Sequence, residues 1–338
     1  MSTILLWVQL AVAALIILGF ASQLAKTADI IAFKTGLGRS FIGVVLLATA
    51  TSLPELGTGI SSIVLVGAPD LALGDAFGSN IFNLLIIGLL DILWREGPIL
   101  RSIGPAASTV GVLGVLLIAI AAIAIVFHSA TNFASTWLIS PVSIVLFLVF
   151  ILALLAIYKS EQGSEHGESE IDYSDSSMLK TCLIYLVSAA AVVGAAVWLA
   201  DLGDQITEIM GWDASFVGTQ FLALSTSLPE LAASIAALRL RAPELAITNL
   251  LGSNLFNMGF VLFFDDVSYV DGSLWKSVSS IHVFTALMAI LMTMVVLIPM
   301  VNRTSLSLGR VVTLEAVLLL MLYIITSGSV FLLGGLSH

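Results

Sequence analysis

Two acidic side chains stand inside apolar stretches of the sequence. Glu55 and Glu230 each follow a proline within an identical Thr-Ser-Leu-Pro-Glu-Leu segment, and no basic residue lies at comparable depth in any apolar stretch. A carboxylate at membrane depth is costly unless it is paired, hydrated or neutralised. Carboxylate oxygens are also preferred ligands of hard cations such as Ca²⁺. The two glutamates therefore predict a functional cation site rather than a structural ion pair.

The prolines add a second source of oxygen ligands. Pro54 and Pro229 carry no backbone N–H, so the carbonyls of Ala50 and Ser225, one turn back, lose their usual helical partner. Irregular backbone at this depth is tolerated only where it lines a cavity or is buried in protein. The break is also expected to free neighbouring carbonyls, namely those of Ala48, Thr51, Ala223 and Thr226.

A polar stripe follows each glutamate along the chain. Asp75, Ser79 and Asn83 are spaced four residues apart and therefore share one helix face. The matching set in the second copy is Asn249, Ser253 and Asn257. Carboxylates, amides, hydroxyls and carbonyls together predict an all-oxygen cage. The sequence has no cysteine cluster and no histidine pair at ligand spacing, which argues against zinc or copper.

The elements that must position these residues are membrane helices. Of 338 residues, 59% are hydrophobic and 10% charged, with a mean hydropathy of +1.11, whereas soluble domains carry about 25% charged residues. Apolar runs long enough to cross a bilayer recur along the chain. We predict an all-α polytopic protein with ten spans near residues 4–24, 36–66, 70–93, 104–127, 134–157, 179–200, 211–238, 244–264, 277–300 and 309–335.

The basic residues predict the orientation. When loops alternate sides from an outside N-terminus, every Lys and Arg except Lys276 falls on one face, which the positive-inside rule makes cytoplasmic. We expect Asp91, Glu315 and His282 near helix ends, within reach of interfacial water. The opposite face carries acids that either attract cations weakly or simply cap helices. These are Asp70, Asp201, Asp204, Glu208, Asp213, Asp265, Asp266 and Asp271.

The chain contains an internal repeat. Residues 41–83 match residues 216–257 with one gap, sharing Thr-Ser-Leu-Pro-Glu-Leu, Ala-Pro-acid and Gly-Ser-Asn-x-Phe-Asn in the same order. Each copy begins on the second helix of a five-helix half, and because five is odd the halves are inverted. We predict repeats at 1–157 and 179–338 in the cell's cytoplasmic membrane, joined by an acidic cytoplasmic linker at 158–178.

The paired motifs resemble the two alpha repeats of the calcium/cation antiporter superfamily, most closely its prokaryotic sodium/calcium exchanger branch. The resemblance covers all ten helices. It implies exchange of about three Na⁺ for one Ca²⁺ by alternating access. It also implies that Glu55 and Glu230, with the carbonyls of Thr51 and Thr226, hold Ca²⁺. For Na⁺ it implies the same glutamates with Ser52, Ser227, Ser79, Ser253, Asn83 and the carbonyls of Ala48 and Ala223.

Three departures from the family pattern stand out. Ala50 and Ser225 replace a common glycine before the Thr-Ser pair. Asp75 replaces a common asparagine, and it is read as a third site carboxylate, a proton-titratable group or a polar residue beside an aqueous vestibule. Asn257 stands where potassium-dependent relatives carry an aspartate, which argues against K⁺ transport.

Other functions fit the sequence less well. An intramembrane aspartyl protease needs a second aspartate opposite Asp75, but the matching residue is Asn249, so we expect no enzyme. A passive cation channel also uses carboxylates and carbonyls, yet the inverted repeat already supplies both halves of one site. Exchange of H⁺ for Ca²⁺, or transport of another divalent ion, stays open. We expect Ca²⁺ and Na⁺ as substrates in a lipid bilayer, with no cofactor, nucleic acid or obligate protein partner.

Overall fold

The computed structural model describes residues 3–37, 39–131, 137, 139–162, 173–210, 216, 218–305, 307–308 and 312–334. Within these residues, ten spans are long and apolar enough to cross a membrane when one bent pair counts as a single span. The spans are α1 (Thr3–Thr35), α2 (Arg39–Val66), α3 (Pro69–Leu93), α4 (Pro105–Ala130), α5 (Pro141–Gln162), α6 (Met178–Met210), α7 (Gly218–Thr226 and Leu228–Arg239), α8 (Pro243–Ser268), α9 (Ile281–Asn302) and α10 (Leu314–Gly334). Short strands β1 (Ser307–Leu308) and β2 (Val312–Thr313) pair antiparallel before α10. The predicted ten-helix architecture is confirmed.

Several predicted boundaries are wrong, most clearly that of α1. The apolar run suggested an end near residue 24, but the helix continues to Thr35. Its last turns contain the buried carboxylate of Asp29, whose Oδ1 lies 2.8 Å from Arg39 Nε at the start of α2. Because this charge is paired, an acidic residue stays inside the helix where hydropathy alone predicted a loop.

The structure describes the two ends of the linker between the halves. Residues 163–172 of the predicted acidic linker lie outside the described part of the chain, and with them Glu165, Glu168, Glu170 and Asp172. The end of the linker is anchored, because Tyr173 is buried and its hydroxyl donates to Asp29 Oδ2 at 3.1 Å. Burial, and then the negative charge of Asp29, raise the pKa of Tyr173 to about 12.

The helices sort by polarity between the centre and the periphery. Buried residues make up 83% of the apolar window of α3 and 94% of that of α8, compared with 28% for α5 and 22% for each of α6 and α10. The two repeat helices that carry polar stripes therefore form the centre, and the strongly apolar helices are left to face lipid. Five spans in each half give matching helices opposite directions.

The two halves interlock at their repeat motifs. Helix α3 packs against α7, and α8 packs against α2, so each stripe lies beside the broken helix of the other half. Glycines permit these crossings. A Cβ at Gly78 would lie 2.4 Å from the carbonyl oxygen of Thr219, and one at Gly252 would lie 3.0 Å from the Cα of Val44. Small residues at helix crossings are the common device for close packing in membranes.

Helices α2 and α7 are interrupted at the repeated motif. Ser52 (φ −97°, ψ 4°) and Ser227 (φ −85°, ψ 3°) leave helical geometry just before Leu-Pro-Glu. The two parts of α7 meet at 44°. In each helix a π-helical segment, Gly43–Ala48 or Gly218–Leu222, precedes the break. The prolines thus begin a new helix in each span, and the glutamates lie in its first turn.

Candidate cation site

The two glutamates occupy equivalent positions on opposite sides of one polar centre. Glu55 is 1% exposed and Glu230 is not exposed at all. Ser52 Oγ donates to Glu230 Oε1 at 3.0 Å, and Ser227 Oγ donates to Glu55 Oε1 at 3.5 Å. Each serine of one repeat therefore binds the glutamate of the other repeat. Within the described residues, no ion pair includes either glutamate.

Four buried oxygens in this part of the structure have no hydrogen-bond partner among the described residues. They are Glu55 Oε2, Glu230 Oε2, Asn83 Oδ1 and Asn257 Oδ1. All four are acceptors, and an unpaired buried acceptor is costly unless something positive binds it. Ser253 Oγ donates to Glu230 Oε1 at 3.3 Å, so only the second oxygen of that carboxylate is open. The open oxygens fit a cation as ligands.

The motif threonines Thr51 and Thr226 each contact a side chain of the other repeat. Thr226 Oγ1 donates to Asp75 Oδ1 at 2.9 Å, and the hydroxyl of Thr58 donates to Asp75 Oδ2. In the other half, Thr51 Oγ1 lies 3.3 Å from Asn249 Oδ1. Asp75 and Asn249 thus occupy equivalent places, but one is an acid held by hydroxyl donors and the other is an amide.

Ser79 completes the contacts of Asp75. Its Oγ lies 3.5 Å from Asp75 Oδ1 and 3.3 Å from Thr226 Oγ1. In contrast, Asn249 Nδ2 donates to Ser234 Oγ at 3.0 Å. The first half therefore places an additional negative charge beside the centre, and the second half places a neutral hydrogen-bonded pair there.

The expectation of freed carbonyls at Ala48 and Ala223 is wrong. The Ala48 oxygen accepts the N–H of Ser52 at 2.9 Å, and the Ala223 oxygen accepts that of Ser227 at 3.0 Å. The helix continues for one residue past the motif threonine before it breaks, so these carbonyls keep their partners. Each also accepts a threonine hydroxyl, from Thr51 at 3.3 Å in the first case.

Asn80 and Asn254 connect the two polar stripes, and the sequence analysis did not single them out. Asn83 Nδ2 donates to Asn254 Oδ1 at 3.0 Å, and Asn257 Nδ2 donates to Asn80 Oδ1 at 3.3 Å. These reciprocal bonds leave the carbonyl oxygens of Asn83 and Asn257 open. The signal was present in the repeated Gly-Ser-Asn triplet, whose last residue is Asn80 in one copy and Asn254 in the other.

Several side chains that we predicted near helix ends do lie there, but they are buried. Asp265 and Asp266 lie in the last turns of α8 and are no more than 1% exposed. Asp91 lies two residues before the end of α3, is 3% exposed and accepts the N–H of Ile99 at 2.8 Å. His282 is also buried, with Nε2 at 2.9 Å from Asp70 Oδ1.

The structure describes only some of the acids that we predicted on the outer face. Asp213 lies outside the described residues, whereas Asp201 and Asp271 are exposed. Glu315, which we expected near the start of α10, is the second residue of that helix; it is half-buried and accepts the Ser305 hydroxyl at 3.0 Å.

The donor set favours hard cations. Among the described residues, no group of three or more His, Cys, Asp or Glu side chains is placed to hold a metal ion. A cation at the centre would instead combine two carboxylates with hydroxyl and amide oxygens. Ca²⁺ and Na⁺ accept such mixed oxygen shells, and zinc sites do not use them.

Comparison with known proteins identifies relatives of both halves. A family model described as "Sodium/calcium exchanger protein" matches residues 5–156 and 180–331. Inner membrane protein YrbG of Escherichia coli is 28% identical over 267 residues, covering 75% of this chain and 77% of that protein. Sodium/calcium exchanger MaX1 of Methanosarcina acetivorans is 25% identical over 284 residues, covering 72% and 77%.

The fold is shared with a solved transporter. The sodium-calcium exchanger NCX_Mj, soaked with Na⁺ and Sr²⁺, has a TM-score of 0.69 at 20% identity. The match covers 97% of this chain and 99% of that one. At this identity the likeness concerns the helical architecture, and it extends over essentially the whole chain.

Proposed function

Because the chain belongs to the sodium/calcium exchanger protein family, a family of membrane transporters, we propose that it exchanges Na⁺ for Ca²⁺ as a secondary active antiporter. The observation that carries the proposal is the opposed pair Glu55 and Glu230. Each has one oxygen bound by the serine of the other repeat and one oxygen without a partner. One ion can therefore contact both halves at once.

We expect Ca²⁺ and Na⁺ to use different sets of oxygen ligands at the site. Ca²⁺ would take the open oxygens of Glu55 and Glu230 with the carbonyls of Thr51 and Thr226, because two carboxylates balance one divalent ion. Na⁺ ions would use these glutamates with neighbouring neutral oxygens. Those are Ser52, Ser227, Ser79, Ser253, Asn83, Asn257 and the carbonyls of Ala48 and Ala223, each of which would exchange its threonine hydroxyl donor for the ion.

The proposed exchange is electrogenic and independent of K⁺. About three Na⁺ against one Ca²⁺ leave one positive charge to cross the membrane in each cycle, so the membrane potential would contribute to transport. Asn257 supplies a neutral oxygen where a further acid would be needed to balance another cation. Asp75 acts on the site mainly through the hydroxyls of Thr226 and Ser79.

Alternating access would use the inverted halves. We assign the repeats to residues 1–157 and 179–338, with 158–178 as the connecting linker. The broken helices α2 and α7 meet at the centre, and motion of one half against the other would open the glutamates to each side in turn. Such a motion along the interface between the halves would break the cross-repeat serine bonds.

The proposal is tested by uptake of radiolabelled calcium into sodium-loaded proteoliposomes. Uptake should require the outward sodium gradient, and Glu55→Gln and Glu230→Gln should each abolish it, because either substitution removes half of the charge that holds Ca²⁺. Glu244→Gln is the matched control. Glu244 accepts the Ser40 hydroxyl at the start of α8 and lies outside the proposed site.

The same assay separates the alternatives. Uptake that follows a pH gradient and ignores sodium would replace sodium with protons as the counter-ion. Calcium flux without any counter-ion on the far side would indicate a channel. Survival of transport in either glutamate variant would contradict a shared site.

A further inference from the structure

Asp265 is a buried carboxylate that the central site does not use. It lies in α8, two turns beyond Asn257, and its side chain is not exposed. Neither Oδ1 nor Oδ2 has a hydrogen-bond partner among the described residues. A buried carboxylate that no protein donor compensates is stabilised by a bound cation.

The repeat provides a direct comparison for this residue. An offset of 174 relates Ser79 to Ser253, and the same offset, carried past the matched segments that end at Asn83 and Asn257, relates Asp91 to Asp265. Both oxygens of Asp91 are occupied, one by the N–H of Ile99 at 2.8 Å and the other by the hydroxyl of Thr313. The equivalent acid in the first half is therefore a satisfied structural group, whereas Asp265 is not.

Asp265 lies against the helix that carries Glu55. A Cβ placed on Gly59 would come within 2.4 Å of Asp265 Oδ1, so the carboxylate sits directly on the backbone of α2 there. Gly59 follows Glu55 by four residues, which places both on one helix face about 6 Å apart along the axis. The adjacent Thr58 donates to Asp75. Asp265 is thus about one turn from the central site.

Two other acidic side chains lie close to Asp265. Asp75 is bound by Thr58, the residue before Gly59, and Asp266 is the next residue along α8. Asp266 is itself directed to the N–H of Ser140, 2.7 Å away, and it therefore faces a different helix. Asp75 and Asp265 remain as a pair of interacting carboxylates, which we call the outer carboxylate pair. Within the described residues, neither takes part in an ion pair.

We propose that the outer carboxylate pair binds a second Ca²⁺, next to the central site on the side toward which α2 runs after Glu55. Two carboxylates balance one divalent ion, and Asp265 has two open oxygens for it. Water completes the shell, as at many Ca²⁺ sites. This inference rests on the proposed function, because it makes the pair a staging site for the transported ion. In the predicted orientation the pair lies on the outer side.

Equilibrium binding of radiolabelled calcium to the purified protein in sodium-free buffer tests the inference. The intact chain should bind two ions per chain. Asp265→Asn should bind one, and Gly59→Ala should also bind one because its methyl group displaces the Asp265 carboxylate. Asp91→Asn, which removes a buried acid at the equivalent position, should still bind two.

The Ca²⁺ that stays bound at the central site shows that the variants are folded. In Asp265→Asn it should be displaced by sodium and should disappear when Glu230→Gln is added. Equal stoichiometry in the intact chain and Asp265→Asn would overturn the inference. If Asp265 carries a proton instead of binding Ca²⁺, both proteins should bind one ion. Failure of the intact chain to bind any sodium-sensitive calcium would instead contradict the proposed function itself.

Discussion

At the scale of single residues, the centre combines a symmetric pair with one asymmetric position. The serine–glutamate bonds repeat in both directions across the interface. Asp75 breaks the symmetry, because its counterpart is Asn249. Its carboxylate accepts the hydroxyls of Thr226 and Thr58, which orients the threonine oxygen beside the proposed ion site. Asp75 therefore influences the central ion through its neighbours.

Replacing Asp75 with Asn should weaken calcium binding without changing the coupling ratio. Hydrogen bonds to a charged group contribute about 1.5–3 kcal/mol, so the apparent calcium affinity should fall about tenfold. The charge moved per calcium, obtained from membrane current and radiolabelled flux in the same proteoliposomes, should stay constant. Asp91→Asn controls for loss of a buried acid. An altered ratio would make Asp75 a carrier of transported charge.

At the scale of helices, function depends on close crossings between the two repeats. Helix α3 contacts the backbone of α7 at Gly78, and α8 contacts that of α2 at Gly252. These contacts hold the polar stripes against the broken helices, which supply the glutamates. A methyl group at such a position must separate the helices, since the nearest atoms are backbone atoms that cannot rotate away.

Gly78→Ala should therefore lower both thermal stability and calcium uptake. Its Cβ would lie 2.4 Å from the Thr219 carbonyl oxygen, and overpacking of a close-packed interior costs about 1–3 kcal/mol. Gly114→Ala in α4 is the control, because nothing lies within 4 Å of its Cβ, and alanine is favoured over glycine in a helix by about 1 kcal/mol. Thermal unfolding in detergent would show the difference. Equal melting of both variants would contradict the crossing model.

At the scale of the whole molecule, inversion makes one site from two motifs. Because each half has five spans, the glutamates approach the centre from opposite membrane faces and meet there. The basic residues predict that the linker end near Tyr173 is cytoplasmic and that the loop after α8 is outside. On that basis the outer carboxylate pair lies between the external solution and the central site.

Cysteine labelling in intact cells tests this orientation. Cys182 is the only cysteine, so Cys182→Ser provides a clean background. An impermeant maleimide should label Val270→Cys, whose native side chain is 74% exposed, from the external solution. Ser177→Cys, at the exposed end of the linker, should react only after the membrane is permeabilised. The reverse pattern would invert the topology and place the outer carboxylate pair on the cytoplasmic side.

The sequence by itself determined the ten spans, the two inverted repeats and the position of Glu55 and Glu230 within them. Hydropathy and motif identity are properties of short segments, so they can be read without the fold. It could not give the end of α1, since the buried Asp29 is compensated by contacts with Arg39 and Tyr173 that only the fold brings to it.

The tertiary structure alone decided which oxygens are open. The Ser52–Glu230 bond joins residues 178 positions apart, and the asparagine links join residues 171 and 177 apart. The same packing satisfies Asp91 and leaves Asp265 without a hydrogen-bond partner among the described residues, although the offset of the repeat relates the two residues. Hydrogen-bond satisfaction depends on which helices meet, and an inverted repeat brings different neighbours to equivalent residues.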